Sequence, residues 1–415
     1  MSFTLKSQFR GDLKKLGVCS KSEQAKPDQL DLVKMASLAL NYLKGNPDPK
    51  RAYECKFALG PLGIPFHVPG SPSNEHGFDV ISLGDTDCRM DMQFPHMREI
   101  VGIHDPDPAE IGVRQRILRY LDTDCLCWLN PGAIIGTTIN EKWASTWASA
   151  KLLYSLSESY ERTQDVKIKK TAQKIFKALH KIAIRNGNRA YYWGIAPYKN
   201  GHWLLRKWSL SQGRNYPYIV EPLLRYYECC GDEAGLELAN DFADGILDGV
   251  QPEMGRQRID SQTGRFEGPI HIHTHSIWGV AHLGALTGEK KYSDFARRTY
   301  EFVLSLGTDY GWYPEHSPLS SLAEVCVIGD MVSLGAWLAR SGYPEYWDHV
   351  ERTLRNLLVK AQFTLTPEFS SLFKKSNQGK SHEEIQAALK ALKNIEGGFV
   401  SQPTFNDWVG FPDNP

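Results

Sequence analysis

The stretch 275–307, HSIWGVAHLGALTGEKKYSDFARRTYEFVLSLG, decides the fold class. Its first half is almost wholly apolar, and "TGEKK" breaks it with a glycine and a run of charges. Its second half places Tyr292, Phe295, Ala296, Thr299, Tyr300 and Val303 at the three- and four-residue spacing of one helical face. That spacing predicts a buried helix, a tight turn and an amphipathic helix lying back upon it.

The same plan recurs along the chain. Residues 146–187 read as helix, polar turn, helix, and so do 218–249 and 328–362; residues 30–45 form a further helix. The turns are small or polar: CCGDEAG, LTGEKKY and RSGYPEY. Successive units lie about 50–60 residues apart, longer than tetratricopeptide or armadillo periods. Between them run stretches rich in Gly, Pro, His and Trp, such as 191–203 and 255–275. No block of period-two alternation stands out. The reading is all-α: one (α/α)6 barrel of six helical hairpins over residues 1–362, its long loops on one face carrying the chemistry. Residues 363–415 form an extension packing on the barrel. There 363–380 reads as polar and mobile, and Ser381-x-x-Glu384 opens one short helix with a capping box.

Composition narrows the partners. In 415 residues, Lys+Arg and Asp+Glu number 48 each, so the formal net charge is zero. No basic stripe interleaved with aromatics appears, which argues against nucleic acid. No run of about 18 apolar residues occurs, so a membrane span is not expected. The N-terminal 20 residues lack a signal peptide's apolar core. Eight cysteines follow no disulfide-scaffold spacing, and a reduced, cytoplasmic setting is the default expectation. The 11% aromatic content suits a small uncharged polar ligand.

Candidate site residues fall in four places. In AEVCVIGD (323–330), Ser321 and Glu324 match a capping box with Glu324 at the third helical position, making Cys326 a buried hydrophobe. Equally, Glu324 and Cys326 could supply two ligands to zinc. In GPIHIHTHS (268–276), His271, His273 and His275 alternate, and an extended backbone would present all three on one face. In GWYPEHSP (311–318), Glu315 lies beside Trp312, Tyr313 and His316, where desolvation would raise a carboxylate into general-acid range; a solvated loop acid is the other reading. In LGDTDCRMD (83–91), Asp85 and Asp87 could reach the barrel mouth with Arg89 as partner, or form a structural ion pair. The vicinal Cys229 and Cys230, placed in a hairpin turn, read as structural. Nucleotide-binding and serine-hydrolase motifs are absent.

Segments 273–303, 311–316, 323–362 and 397–410, with YWDHVERTLRN (346–356) the most specific, resemble family 127 of the glycoside hydrolases, the β-L-arabinofuranosidase-like group. The likeness is clearest over 268–410 and fainter at 83–102. It implies an (α/α)6 barrel usually followed by β-sandwich domains. It also implies a glutamate acid/base and a zinc-bound cysteine nucleophile, with zinc held by Glu-x-Cys and a later Cys-Cys pair. By motif, Glu324 and Cys326 match the Glu-x-Cys ligands, Glu315 the acid/base, and His273 or His275 a substrate-contacting histidine. No cysteine follows Cys326 in the 415 residues. The expected activity is therefore hydrolysis of a small glycoside by carboxylates, with Glu315, Glu324 and His273 catalytic. Asp85, Arg89, His271, His275, Trp312 and His316 are expected to contact substrate. A lyase, isomerase or cyclase of a small apolar metabolite on the same barrel, or a non-catalytic binding relative, is the alternative.

Overall fold

The computed structural model describes residues 30–55, 86–119, 121, 125–129, 143, 144, 146–192, 198, 199, 202, 203, 218–249, 258–318 and 323–399. Helices dominate: α1 (Leu32–Gly45), α2 (Thr86–Val101), α3 (Pro108–Arg119), α4 (Thr146–Thr163) and α5 (Val166–Ile182) come first. Then come α6 (Val220–Cys230), α7 (Glu233–Asp248), α8 (Ile270–Thr287), α9 (Lys290–Leu306) and α10 (Val325–Arg340). The series ends with α11 (Tyr346–Thr353), α12 (Pro367–Ser376) and α13 (His382–Asn394). The strands present are two- and three-residue antiparallel pairs.

The helices form two concentric layers. In the inner layer α2, α4, α6, α8 and α10 pack side by side in that order, and each is backed by the helix that follows it. Burial explains the assignment. In α4 every residue from Ala148 to Ser159 is buried, and α8 is buried around most of its circumference, as befits helices with neighbours on all sides. The outer α5 and α9 bury one stripe each: Ala172, Ile175, Phe176, Leu179 and Ile182 in α5, and Tyr292, Phe295, Ala296, Tyr300 and Val303 in α9.

Inner-to-outer turns are tight because their residues encode them. Gly231 and Gly288 end α6 and α8 in the left-handed conformation, at φ 71° and 75°. Asp165 and Asp232 then cap α5 and α7 by accepting from Lys167 N and Ala234 N. The outer-to-inner connections, residues 120–145, 183–219, 249–269 and 307–324, are long. All five inner helices therefore start at one end of the ring, the mouth.

The expected capping box at Ser381 is present, with both reciprocal bonds formed. Residues 367–376, read from sequence as mobile, are instead α12, begun by Thr366 accepting from Phe369 N and by Pro367 in the first turn. The region beyond 362 thus holds two described helices, not one. It returns to α1: Gln362 Nε2 donates to Met35 O at 2.9 Å, and Asn41 Nδ2 donates to Glu396 O at 2.7 Å. Cys229 and Cys230 are the last two residues of α6, buried in the hairpin core, and not in the turn itself.

Deeper in the ring, charges tie four inner helices together. Glu158 of α4 accepts from Arg162 and, at 2.6 Å, from Arg225 Nε of α6. Arg225 also reaches Glu228 at 2.5 Å. His282 of α8 bridges Glu221 at 2.8 Å and Glu228 at 3.5 Å, and stacks on Trp337 of α10 at 3.8 Å. Burial works against a charged His282, but the two glutamates outweigh it and raise its pKa to about 9. A pKa raised above the unfolded value near 6.5 adds stability that is complete below that pH and lost as pH climbs through about 9. NMR titration of the His282 ring is expected to give a midpoint near 9, and Glu221→Gln to bring it down.

Where α8 crosses α6, Gly279 permits contact: a Cβ there would stand 2.5 Å from Glu221 N, a backbone atom that cannot rotate away. Overpacking of about 1–3 kcal/mol should exceed the roughly 1 kcal/mol of helix propensity gained by alanine. Gly279→Ala is expected to lower the urea midpoint with an unchanged slope.

Candidate functional site

The mouth half of α8 and α10 carries a cluster of titratable groups, His271, His275 and Asp330. GPIHIHTHS is not extended: after the pair Gly268–Pro269, which ladders with His316–Ser317, the chain enters α8 at Ile270. Helical geometry puts residues four apart on one face and the intervening one elsewhere. His271 and His275 thus face α10 together. His273 points away, its Nδ1 2.6 Å from Pro269 O and its ring stacked on Phe266 at 4.0 Å. The alternation that suggested one three-histidine face splits into two plus one.

What receives His271 and His275 is Asp330, an acid within the apolar α10. Its Oδ2 accepts from His271 Nδ1 at 2.7 Å and from Thr274 Oγ1 at 2.8 Å, and its Oδ1 from His275 Nδ1 at 3.1 Å. Burial opposes the ionised form, yet the two imidazoles hold Asp330 far below the ordinary carboxylate range. An ionised carboxylate only accepts, so each Nδ1 donates its proton to Asp330. His275 stays neutral at pH 7, because burial brings its pKa down to about 4 with Asp330 offsetting only part. Tyr218, just before α6, stacks on the His275 ring at 4.0 Å, and Trp278 meets it edge-on at 5.1 Å.

Four buried polar atoms around this cluster have no hydrogen-bond partner in the protein: His271 Nε2, Tyr218 Oη, Trp278 Nε1 and, on α4, Trp147 Nε1. Leaving such a group unmet costs about 1–3 kcal/mol each. Two cations flank Trp147. Lys151 Nζ lies 4.6 Å from its ring centroid and is 1% exposed, and the Arg89 guanidinium of α2 lies 5.8 Å from the same ring. The Lys151 charge bears on His275, and the Arg89 charge on Tyr218 and Cys326.

The other sequence candidates sort as follows. Asp85 and Ser321 lie outside the described residues. Asp87 does not pair with Arg89: it accepts from Cys55 N at 3.0 Å and Arg116 Nε at 2.8 Å, a structural pair joining α2 to α3. Glu324 is not the third residue of α10 but its N-cap, because the bridge Pro314–Ala323 keeps the chain extended up to it. The Glu315 carboxylate is 27% exposed, 3.7 Å from His316 Nδ1, while its backbone oxygen accepts from Ile270 N. Trp312 lies in the turn closed by Thr308, and His316 is exposed.

Zinc does not suit Glu324 and Cys326. Burial, then Glu324 and Asp330, push the Cys326 thiol up to about 12 against the pull of Arg89, whereas a zinc ligand is a thiolate. Among the described residues no third His, Cys or acid joins these two at ligand distance.

No family model and no curated protein matches the chain. Solved structures do. One described as D-mannose isomerase is 10% identical over 89% of this chain and 99% of its own, at a TM-score of 0.56. A sugar epimerase from a ruminal bacterium is 12% identical over 81% and 89%, at 0.51. A β-arabinofuranosidase of glycoside hydrolase family 127 is 14% identical over 80% of this chain, at 0.48; the chain spans 51% of that protein's length. At such identities the first two establish the architecture, an (α/α)6 six-hairpin barrel. No helix among the described residues is long and apolar enough to cross a membrane.

Asp330→Asn would leave one amide oxygen where two carboxylate oxygens accept, so at least one of the two imidazole N–H groups loses its acceptor. Loss of a buried hydrogen bond to a charged group costs about 1.5–3 kcal/mol. A fall of that size in chemically measured stability, without loss of helical circular dichroism under native conditions, is expected; a change within 0.5 kcal/mol, about the level of a surface substitution, would contradict the bonding described.

Proposed function

We propose that the chain is an enzyme acting on a small sugar by proton transfer at a carbon next to a carbonyl, in the manner of an isomerase or epimerase. The observation that carries this reading is the His271–Asp330 pair, whose Nδ1 is bonded to an ionised carboxylate while Nε2 is buried and unmet. That is how a general base is oriented: the carboxylate fixes the tautomer and stabilises the imidazolium that forms. In the open-chain sugar, the hydrogen leaves carbon as a proton to His271 Nε2. Its electron pair forms the carbon–carbon double bond, and the carbonyl becomes an enediolate oxygen. Tyr218 Oη, whose phenol burial keeps protonated and which has no partner in the protein, would donate a hydrogen bond to that oxygen. When the proton of the neighbouring hydroxyl passes to the former carbonyl oxygen and the carbon-derived proton returns to the former carbonyl carbon, isomerisation is complete; return of that proton to the original carbon on its opposite face completes epimerisation. The D-mannose isomerase and sugar epimerase of the same architecture lend support as analogies only.

Glycoside hydrolysis is the second reading, favoured by the resemblance at 311–326 and by Glu324 heading α10 beside Cys326. It needs a carboxylic acid protonated near neutral pH, and Asp330 is held ionised.

Incubation with aldoses and ketoses in deuterium oxide separates the two. Wild type is expected to place deuterium on the carbon next to the carbonyl of the sugar it accepts. His271→Gln should slow that uptake by about 10²–10⁴-fold, and Tyr218→Phe less. Release of aryl alcohol from glycosides, abolished by Glu315→Gln or Glu324→Gln with no deuterium uptake, would establish the second reading instead.

A further inference from the structure

His271 and His275 stand four residues apart on one face of α8, the spacing at which a helix offers two imidazoles to a single metal ion. Asp330 of α10 adds a carboxylate, and one ligand atom from each of the three lies within 4.8 Å of the others. Two of the pairs are closer: His271 Nδ1 is 2.7 Å from Asp330 Oδ2, and His275 Nδ1 is 3.1 Å from Oδ1. Ligands held tetrahedrally at zinc bond lengths of about 2.0–2.1 Å stand about 3.3 Å apart, so these contacts need open by only about 0.6 Å at most.

The surroundings suit an ion too. Thr274 Oγ1 donates to Asp330 at 2.8 Å and Tyr218 stacks on the His275 ring, so both ligands are oriented from outside. The two imidazoles keep 11% and 14% of their side-chain surface open, so water reaches the cluster and can take a fourth position. Among the described residues one other group, Glu158, Glu161 and Cys229, brings three donors as close. Its carboxylates already accept from Arg162 and Arg225, and an arginine cannot lose its charge to make way.

We propose that His271, His275 and Asp330 form a binding site for a divalent transition-metal ion of the zinc class, and that filling it silences His271 as a base. An ion takes the Nδ1 lone pair of each ring. The proton that Nδ1 held moves to Nε2 of a neutral ring, or leaves to water from a charged one. Either way Nε2 ends protonated and accepts nothing from carbon, so the ion is an inhibitor and not a cofactor. The silencing rests on the proton-transfer reading; the ion site does not.

Titration of the metal-stripped full chain with Co²⁺, with Zn²⁺ as competitor and Mg²⁺ as the oxygen-seeking control, tests the site without turnover. One equivalent of Co²⁺ is expected to bind with visible bands of low coordination number, Zn²⁺ to displace it and Mg²⁺ not. X-ray absorption of the zinc-loaded wild type should show two imidazoles and no sulfur, which needs no variant to fold. Thr274→Val should weaken binding about 10–100-fold, and His275→Gln, with its fold checked by circular dichroism, by more. No bound equivalent, a sulfur-ligated ion, or binding indifferent to His275→Gln overturns the site, while deuterium uptake by the same stripped protein would leave the proton-transfer reading standing. With the ion bound as expected, uptake present in the stripped protein and lost on loading supports the silencing, and uptake that persists at full loading overturns it. The ion bound with no uptake in either form removes the isomerase reading and leaves the site.

Discussion

One buried carboxylate organises the mouth of the ring. Asp330 sits in an otherwise apolar helix, where a lone ionised group would cost several kcal/mol. It is tolerated because two imidazoles and a hydroxyl from α8 converge on it, and they converge because i, i+3 and i+4 share a helix face. The contact between α8 and α10 is therefore fixed in rotation and in height by a bond pattern that apolar packing alone would leave free to slip. The stacked Tyr218 extends that registration to α6. The orientation of the His271 ring follows: it cannot turn without giving up its bond to Asp330.

The two levels of the ring solve the problem of buried charge differently. In the deeper part, opposites are matched into a closed set of Glu158, Arg162, Arg225, Glu228, Glu221 and His282, with Arg340 over Trp337 beyond. Arg114 does similar service between α2, α3 and α4, bonding Asp91, Ser155 and Ser159. These groups are satisfied, so their work is to hold helices at fixed spacing. Near the mouth four buried polar atoms, His271 Nε2, Tyr218 Oη, Trp147 Nε1 and Trp278 Nε1, have no partner in the protein.

The helical hairpins were legible because they obey local rules. The 3.6-residue period of 290–306, the glycine stops at 231 and 288, and the capping box at 381 each act within a few residues, and each formed as read. The site was half legible. His271 and His275 drew notice as part of an alternating run, but a spacing of two is consistent with either a strand or a helix when the flanking residues are apolar. Only the packing of α8 into the ring, with neighbours on several sides, decides for the helix. Glu324 fitted the pattern of a capping box one turn too late, since the extended bridge at Ala323 delays the helix start. Asp330 went unread, although a single acid inside VCVIGDMVSLGAW is a departure from pattern that deserved a partner search. Tyr218, Trp147 and Lys151 could not be found by spacing, for they lie on different inner helices far apart in sequence.

Architecture and chemistry separate at this point. A ring of parallel inner helices collects side chains from five distant segments at one end, whatever those side chains are, which is why the same frame is found in an isomerase and an epimerase. What distinguishes this chain is the set at the mouth: two imidazoles on a shared carboxylate, a buried phenol and two cations beside an indole. A thiolate–metal centre would need the Cys326 sulfur to lose its proton, and the surrounding burial and negative charge work against that.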